Sequence, residues 1–134
     1  MTFVTFLMTQ NRPININLLK IKLPLSAFLS ITHRISGILI FFLVLPLSIL
    51  AFSELTQNQD SFDNFMNMYH TNFGIKFGCI VLILIFQYHI FAGIRHMLMD
   101  FHILNESLSS SYRSAVTTLV LFAINALLTL WVML

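Results

Sequence analysis

Charged side chains and cysteines are the two things that this sequence has least of. Only 9% of its 134 residues are Asp, Glu, Lys or Arg, whereas soluble domains carry about 25%. The net charge is +2 and no basic block is present, so we expect no nucleic-acid partner. Cys79 is the single cysteine, which excludes a disulfide framework and a thiolate cluster for zinc or iron–sulfur within this chain.

Apolar side chains dominate instead, at 57% of the chain. A helix needs about 20 apolar residues to cross the hydrocarbon core of a bilayer. Residues 30–52, 74–99 and 114–134 form three runs of about that length. The sequence therefore predicts an all-α membrane protein with three transmembrane helices, in which residues 1–134 form one domain. Pro46 lies inside the first run, where we expect it to kink the helix.

Positive charges are distributed unevenly around the three runs. Four of them lie in or next to the N-terminal arm, residues 1–29: Arg12, Lys20, Lys22 and Arg34. Arg95 and Arg113 flank the second connection, whereas Lys76 alone follows the polar first connection. The positive-inside rule places the arm and the second connection in the cytoplasm and the C-terminus on the periplasmic side. Isoleucines and leucines alternate with polar residues between residues 14 and 23, which favours an extended arm along the membrane surface or a partner.

His89 has the most distinctive chemistry within the spans. It lies in the stretch FQYHIFAGIRH, six residues before Arg95, and thus about 9 Å deeper along a helix axis. An ionisable group at that depth is costly and indicates function. An imidazole there suits a proton relay or a metal ligand, most often to haem iron. The alternative is a histidine hydrogen-bonded to a neighbouring helix, and the residues by themselves leave both open.

Gly93 lies one helical turn after His89, on the same face. It would leave a trough that a flat porphyrin could occupy, and close helix packing is the alternative. His96 lies at the water boundary, where Asp100, four residues on, could hold it by an ion pair or hydrogen bond. Contact of His96 with haem or quinone is the alternative. His70 and His102 fall in polar connections, and we expect both to be solvated.

The stretch SITHRISG, at the predicted cytoplasmic end of the first span, includes Ser30, His33 and Arg34. Ser30 could simply cap the helix, and Arg34 could be a boundary arginine that extends to water. Together they could also form a site, because a hydroxyl donates to a carbonyl oxygen and a guanidinium binds an anion. A quinone head group and a haem propionate need such donors at the edge of a bilayer.

Three motifs carry a family resemblance: RPININL, SITHRISG and YHIFAGIRHMLMDF. They resemble, in order and spacing, the larger cytochrome b membrane-anchor subunit of succinate dehydrogenase, over about residues 11–134. The family pattern is S-x-x-H-R-x-[ST]-G before the first span and H-x-x-x-G-x-R-H-x-x-x-D-[FL] at the end of the second. One departure is visible, since the family usually has glycine where this chain has His102.

The resemblance implies a multi-pass subunit of a four-part complex in the cell inner membrane. The implied partners are a flavoprotein that oxidises succinate with FAD, an iron–sulfur subunit and a second, smaller anchor. By family matching, His89 is one axial ligand of a shared haem b. Ser30 and Arg34 match quinone-binding positions for ubiquinone, and His33 and Arg34 match haem-propionate contacts. The chain carries no flavin-binding or succinate-binding motif, so we expect it not to be an enzyme by itself.

Three other functions remain open from the sequence. A fumarate reductase anchor would differ hardly at all in the residues of this chain. A haem-free structural membrane subunit would use His89 for packing only. A proton-linked transporter subunit is disfavoured because no Asp or Glu lies in the runs 30–52, 74–99 and 114–134.

Overall fold

The computed structural model describes residues 23–104 and 107–134. Every regular element within those ranges is helical, and three helical runs are long and apolar enough to cross a membrane: Leu25–Gln57, Phe73–Asp100 and Leu108–Met133. The prediction of an all-α membrane protein with three transmembrane helices is therefore confirmed. The predicted extended arm falls mainly on residues 1–22, which lie outside the described residues. The first helix begins at Leu25, after that stretch and within the arm of residues 1–29.

The first run consists of helix α1 (Leu25–Leu39), a π-helical segment (Ile40–Val44) and helix α2 (Leu45–Gln57). Pro46 explains the change of winding. Its ring nitrogen has no hydrogen to donate, and in an α-helix the ring would clash with the carbonyl four residues earlier. Directly before it, the Leu45 N–H bonds to the Ile40 carbonyl, five residues back. A π-helical segment thus lies where the sequence predicted a kink.

A short helix that the sequence analysis did not predict follows the first run. Helix α3 (Gln59–Thr71) occupies the connection that was expected to be a polar loop. The Asn58 side chain caps it by accepting a hydrogen bond of 2.8 Å from the Ser61 N–H. The next asparagine, Asn72, accepts from the N–H groups of Gly74 and Ile75 and so begins the following helix.

Helix α4 (Phe73–Asp100) is the central element, since it packs against α1, the π-helical segment and helix α5 (Leu108–Met133). α1 also contacts α5. The buried apolar residues between these helices are few: Leu29, Val44, Ile80, Ala92 and Ala115. Many large apolar side chains face outward instead, including Phe42, Phe73 and Trp131. This surface suits lipid and partner helices, and the contact of α1 with α4 is what builds the candidate site.

Candidate functional site

Helices α1 and α4 bring the two histidine motifs together, although the motifs are more than fifty residues apart in sequence. The rings of His33 and His89 stack with a centroid distance of 4.2 Å and an interplanar angle of 16°. The His96 ring lies 5.0 Å from the His33 ring at 38°. We call His33, His89 and His96 the histidine cluster. The structure therefore joins the predicted ligand on α4 to a predicted site residue on α1.

Two glycines let the helices come close enough for this stacking. A Cβ atom on Gly37 would lie 3.2 Å from His89 Cε1, and one on Gly93 would lie 3.2 Å from His33 Nε2. Each imidazole therefore rests against the backbone of the opposite helix. The hollow at Gly93 had been predicted as a trough for a porphyrin. In the structure the His33 ring fills it, because α1 packs directly on this face of α4.

Ser36 is a further residue of the site, which the sequence analysis did not single out. Its Oγ lies 2.7 Å from the His33 carbonyl oxygen, to which it donates, and 2.9 Å from His89 Nδ1. The side chain is buried, with 5% of its surface exposed. No hydrogen bond joins the other ring nitrogen of His89, Nε2, to any residue in the ranges 23–104 and 107–134. A serine three residues after His33, on the same helix face, was the available signal.

Ser30 and Arg34 lie on α1 at the same end of the molecule as the histidine cluster. Ser30 is half-buried and Arg34 is exposed. Ser30 does not cap the helix, because α1 starts at Leu25 and Pro24 occupies the cap position. Among the described residues neither side chain has a hydrogen-bond partner. Both donors are therefore open to a ligand or a partner chain.

The remaining histidines differ in their surroundings. The structure contains no hydrogen bond or ion pair between His96 and Asp100 within the described ranges, so the predicted contact is wrong. The His96 ring lies against the His33 ring instead, and its buried Nε2 has no hydrogen-bond partner among the described residues. His70 is exposed on α3, with its ring against Tyr69, and His102 is exposed after α4.

Arg95 has a role that the sequence analysis missed, since it was used there only as a boundary marker. Only 3% of its surface is exposed. Its Nε donates to Ser114 Oγ at 3.1 Å, and one terminal nitrogen donates to the carbonyl and the hydroxyl of Ser111 at 3.3 and 3.2 Å. These bonds tie α4 to the start of α5. Two serines three residues apart, beside the predicted third span, were the signal for this contact.

Other polar bonds fix the helices at deeper positions. The hydroxyls of Thr32 and Tyr88 form a hydrogen bond between α1 and α4. Gln87 Nε2 donates to Thr129 Oγ1 at 2.7 Å and so joins α4 to α5. In hydrocarbon, hydrogen bonds of this kind help to set the rotation of one helix against another. The first bond helps to fix α4 against α1, and the second fixes α4 against α5.

Comparison with known proteins shows which family the chain belongs to. The model of the family described as succinate dehydrogenase/fumarate reductase transmembrane subunit matches residues 8–131. The succinate dehydrogenase cytochrome b556 subunit of Coxiella burnetii is 38% identical over 93 residues, which cover 69% of this chain and 74% of that protein.

Two cytochrome b560 subunits of succinate dehydrogenase are also similar. The protein of Reclinomonas americana is 36% identical over 97 residues, covering 69% of this chain and 67% of that protein. The protein of Porphyra purpurea is 33% identical over 115 residues, covering 83% and 88%. The chain therefore belongs to the succinate dehydrogenase/fumarate reductase transmembrane subunit family, as a cytochrome b membrane anchor of succinate dehydrogenase that is not itself catalytic.

Proposed function

We propose that this anchor binds one side of a haem b through His89 and helps to form a ubiquinone-reduction site with Ser30 and Arg34. The complex would be a succinate:ubiquinone oxidoreductase in the cell inner membrane. The observation that carries the proposal is the stacking of His33 on His89 at 4.2 Å. It brings the polar residues of α1 next to His89, the deeper histidine of α4. A haem held by His89 and a quinone held by Ser30 and Arg34 would therefore be neighbours.

The donor set of His89 fits an axial haem ligand. A histidine binds iron through a lone pair that lies in the plane of its ring. His33 stacks on the face of the His89 ring, so it does not obstruct the in-plane direction from which iron would bind. Ser36 engages Nδ1 and leaves Nε2 for the metal. His33 and Arg34 would contact the propionates. When bound, the haem would supply one-electron chemistry that protein side chains lack.

Ser30 and Arg34 would bind the ubiquinone head group. The Ser30 hydroxyl can donate to one carbonyl oxygen, and the Arg34 guanidinium can stabilise the negative charge that develops on that oxygen during reduction. Both donors lie on α1, and neither forms a hydrogen bond with another described residue. The surrounding apolar surface would exclude water, which strengthens both interactions.

The proposed function requires partners. A flavoprotein with FAD would oxidise succinate, an iron–sulfur subunit would pass electrons singly, and a second, smaller anchor would supply the other axial ligand. The outward-facing apolar surface of the three helices would be shared between this second anchor and the lipid bilayer.

A haem-free structural role is the alternative function that the packing itself favours. In the structure His89 already has a hydrogen bond to Ser36 and a stacked neighbour, which is how a packing histidine would be satisfied. A fumarate reductase anchor is a second alternative, because the family model covers both enzymes.

Replacement of His89 by Leu tests the haem proposal. The four-subunit complex carrying His89→Leu should lose or alter the low-spin b-type absorbance, because one axial bond is removed. His70→Leu is the matched control, since His70 is exposed on α3 and distant in sequence from the cluster. It should leave the reduced-minus-oxidised spectrum unchanged. An unaltered spectrum in His89→Leu, or no b-type absorbance in the unmodified complex, would show that His89 is a packing residue.

A further inference from the structure

We infer that Ser36 is a positioning residue that holds His89 in the tautomer protonated at Nδ1, so that Nε2 keeps its lone pair for the metal. This inference rests on the proposed haem ligation by His89. It concerns a residue that lies on a different helix from the ligand and would not itself touch iron. Its basis is the pair of contacts made by one hydroxyl group.

The hydroxyl proton of Ser36 can be used only once. The Oγ lies 2.7 Å from the His33 carbonyl oxygen, which can only accept, so the proton is directed to that oxygen. The same Oγ lies 2.9 Å from His89 Nδ1. With its proton committed, the oxygen accepts there, and the imidazole must donate from Nδ1–H. A neutral imidazole that donates from Nδ1 is unprotonated at Nε2.

The backbone beside Ser36 fixes the ring as well as the proton. A Cβ on Gly37 would lie only 3.2 Å from His89 Cε1, the carbon between the two ring nitrogens. The His33 ring covers one face of His89 at 4.2 Å. Rotation of the imidazole would therefore displace neighbours on α1. Ser36 selects the nitrogen, whereas Gly37 and His33 restrict the orientation of the ring.

The hydrogen bond has a chemical consequence for a bound metal. An acceptor on the distal N–H of a ligating histidine raises the basicity of the ligand, and its removal typically costs 10–100-fold in metal affinity. A more basic ligand favours the oxidised, more positive iron. Loss of the Ser36 oxygen should therefore weaken haem retention and raise the midpoint potential of the haem.

The test uses the whole four-subunit complex with Ser36→Ala and Ser36→Thr. Ser36→Ala should reduce haem per complex or raise the midpoint potential, and a tenfold change in relative affinity for oxidised haem corresponds to about 59 mV for one electron. Ser36→Thr keeps the hydroxyl and should restore the wild-type potential. If Ser36→Ala does not assemble, Ser36→Cys replaces the oxygen with a weak sulfur acceptor and should still raise the potential above that of the unmodified complex.

Thr32→Val is the matched control. It removes the other described hydrogen bond between side chains of α1 and α4, that of Thr32 with Tyr88. Valine has nearly the same shape as threonine, and Tyr88 is the neighbour of His89 in sequence. A general loosening of the two helices would affect Thr32→Val and Ser36→Ala equally. The inference requires that the potential change in Ser36→Ala and remain unchanged in Thr32→Val.

Two results would overturn the inference while haem ligation by His89 stands. One is an unchanged potential and haem content in assembled Ser36→Ala or Ser36→Cys. The other is an equal shift in Thr32→Val. Failure of the haem proposal gives a different result, because His89→Leu would then keep its spectrum. The two failures are therefore distinguishable in one set of complexes.

Discussion

Two serines on one helix show that surroundings rather than residue type decide the role of a side chain here. Ser36 is buried, and its hydroxyl is shared between the His33 carbonyl and His89. Ser30 is half-buried, and its hydroxyl has no hydrogen-bond partner among the described residues. The first hydroxyl is already committed to the protein, whereas the second can serve a ligand. Their expected effects on activity therefore differ.

At the residue scale, we expect Ser30→Ala and Arg34→Leu to lower quinone reduction while succinate oxidation is retained. Succinate oxidation with a soluble dye would take place in the proposed flavoprotein partner and should be retained. Reduction of a ubiquinone analogue should fall, because the donors to its carbonyl oxygen are lost. Removal of one preorganised charge-stabilising donor typically lowers a rate by about a hundredfold or more. Arg34→Lys should rescue only in part, since an ammonium lacks the planar fork of donors.

Ser26→Ala is a suitable control for these variants, because Ser26 lies one turn earlier on α1 and is also half-buried. Both activities should be normal in that complex. If Ser30 and Arg34 only support assembly, the dye and quinone assays will decrease together, in proportion to the amount of complex. Equal losses would therefore contradict the quinone site.

At the scale of elements, the turn after α4 carries backbone strain. His102 has a φ of 57°, a left-handed conformation that costs residues other than glycine about 1–2 kcal/mol. Its N–H bonds to the Met99 carbonyl at 2.9 Å, and the next N–H, of Ile103, bonds to the Leu98 carbonyl at 3.0 Å. This is the Schellman arrangement in which helices usually place glycine. Glycine, which the resembled family was expected to have here, would adopt this conformation without strain.

His102→Gly should therefore give a more stable protein than His102→Ala, because both variants lose the contacts of the imidazole and only glycine relieves the backbone. The relief of the left-handed conformation exceeds the extra chain entropy of glycine by about 0.5–1 kcal/mol. The thermal unfolding midpoint of the purified complex should be higher with His102→Gly than with His102→Ala, and the haem spectrum should not change.

His102→Ala is the control for that substitution, because alanine also removes the imidazole and its contacts but keeps the strained backbone. The comparison of glycine with alanine isolates the backbone effect. A midpoint that is no higher in the glycine variant than in the alanine variant would contradict it.

The short helix α3 shows why one element escaped the sequence analysis. Phe62, Phe65, Met66 and Tyr69 follow helical spacing, and Asn58 precedes them as a cap. The surrounding polar residues obscured that pattern. A helix of 13 residues is marginal alone in water. Its position is fixed by tertiary contact, since Tyr69 donates to the Met133 carbonyl at the end of α5.

At the scale of the whole molecule, the distribution of positive charge predicts the orientation in the membrane. Reporter fusions after residue 134 should lie outside, and fusions near residue 105 should lie inside, because the arm and the second connection carry most of the basic residues. Alkaline phosphatase is active only outside and a fluorescent protein only inside, so the pair gives opposite signals. An inside signal after residue 134 would contradict three spans in this orientation.

The long first run also has a consequence for the whole molecule. Its 33 residues extend about 50 Å as a helix, against a hydrocarbon thickness of about 30 Å. The run must therefore tilt or project from the bilayer, and Glu54 lies near its C-terminal end. The sequence analysis placed this span between residues 30 and 52, because apolar composition marks the part in lipid and not the ends of the helix.

The sequence by itself determined the class of the protein and the residues worth testing. In lipid each backbone polar group must be satisfied within its own segment, so an apolar run of sufficient length is enough to specify a spanning helix. The motifs around His33 and His89 likewise needed no structure to be found. These features depend on local sequence, either through backbone hydrogen bonds along one helix or through fixed spacing.

Only the tertiary structure decided how the side chains pair. The approach of α1 to α4 at Gly37 and Gly93 gave His89 its contact with Ser36, turned His96 from Asp100 toward His33 and closed the expected trough. The packing of α4 on α5 likewise buried Arg95 against Ser111 and Ser114. These pairings depend on the rotation and axial position of one helix relative to another. Hydropathy and motif spacing within a single segment do not contain that information.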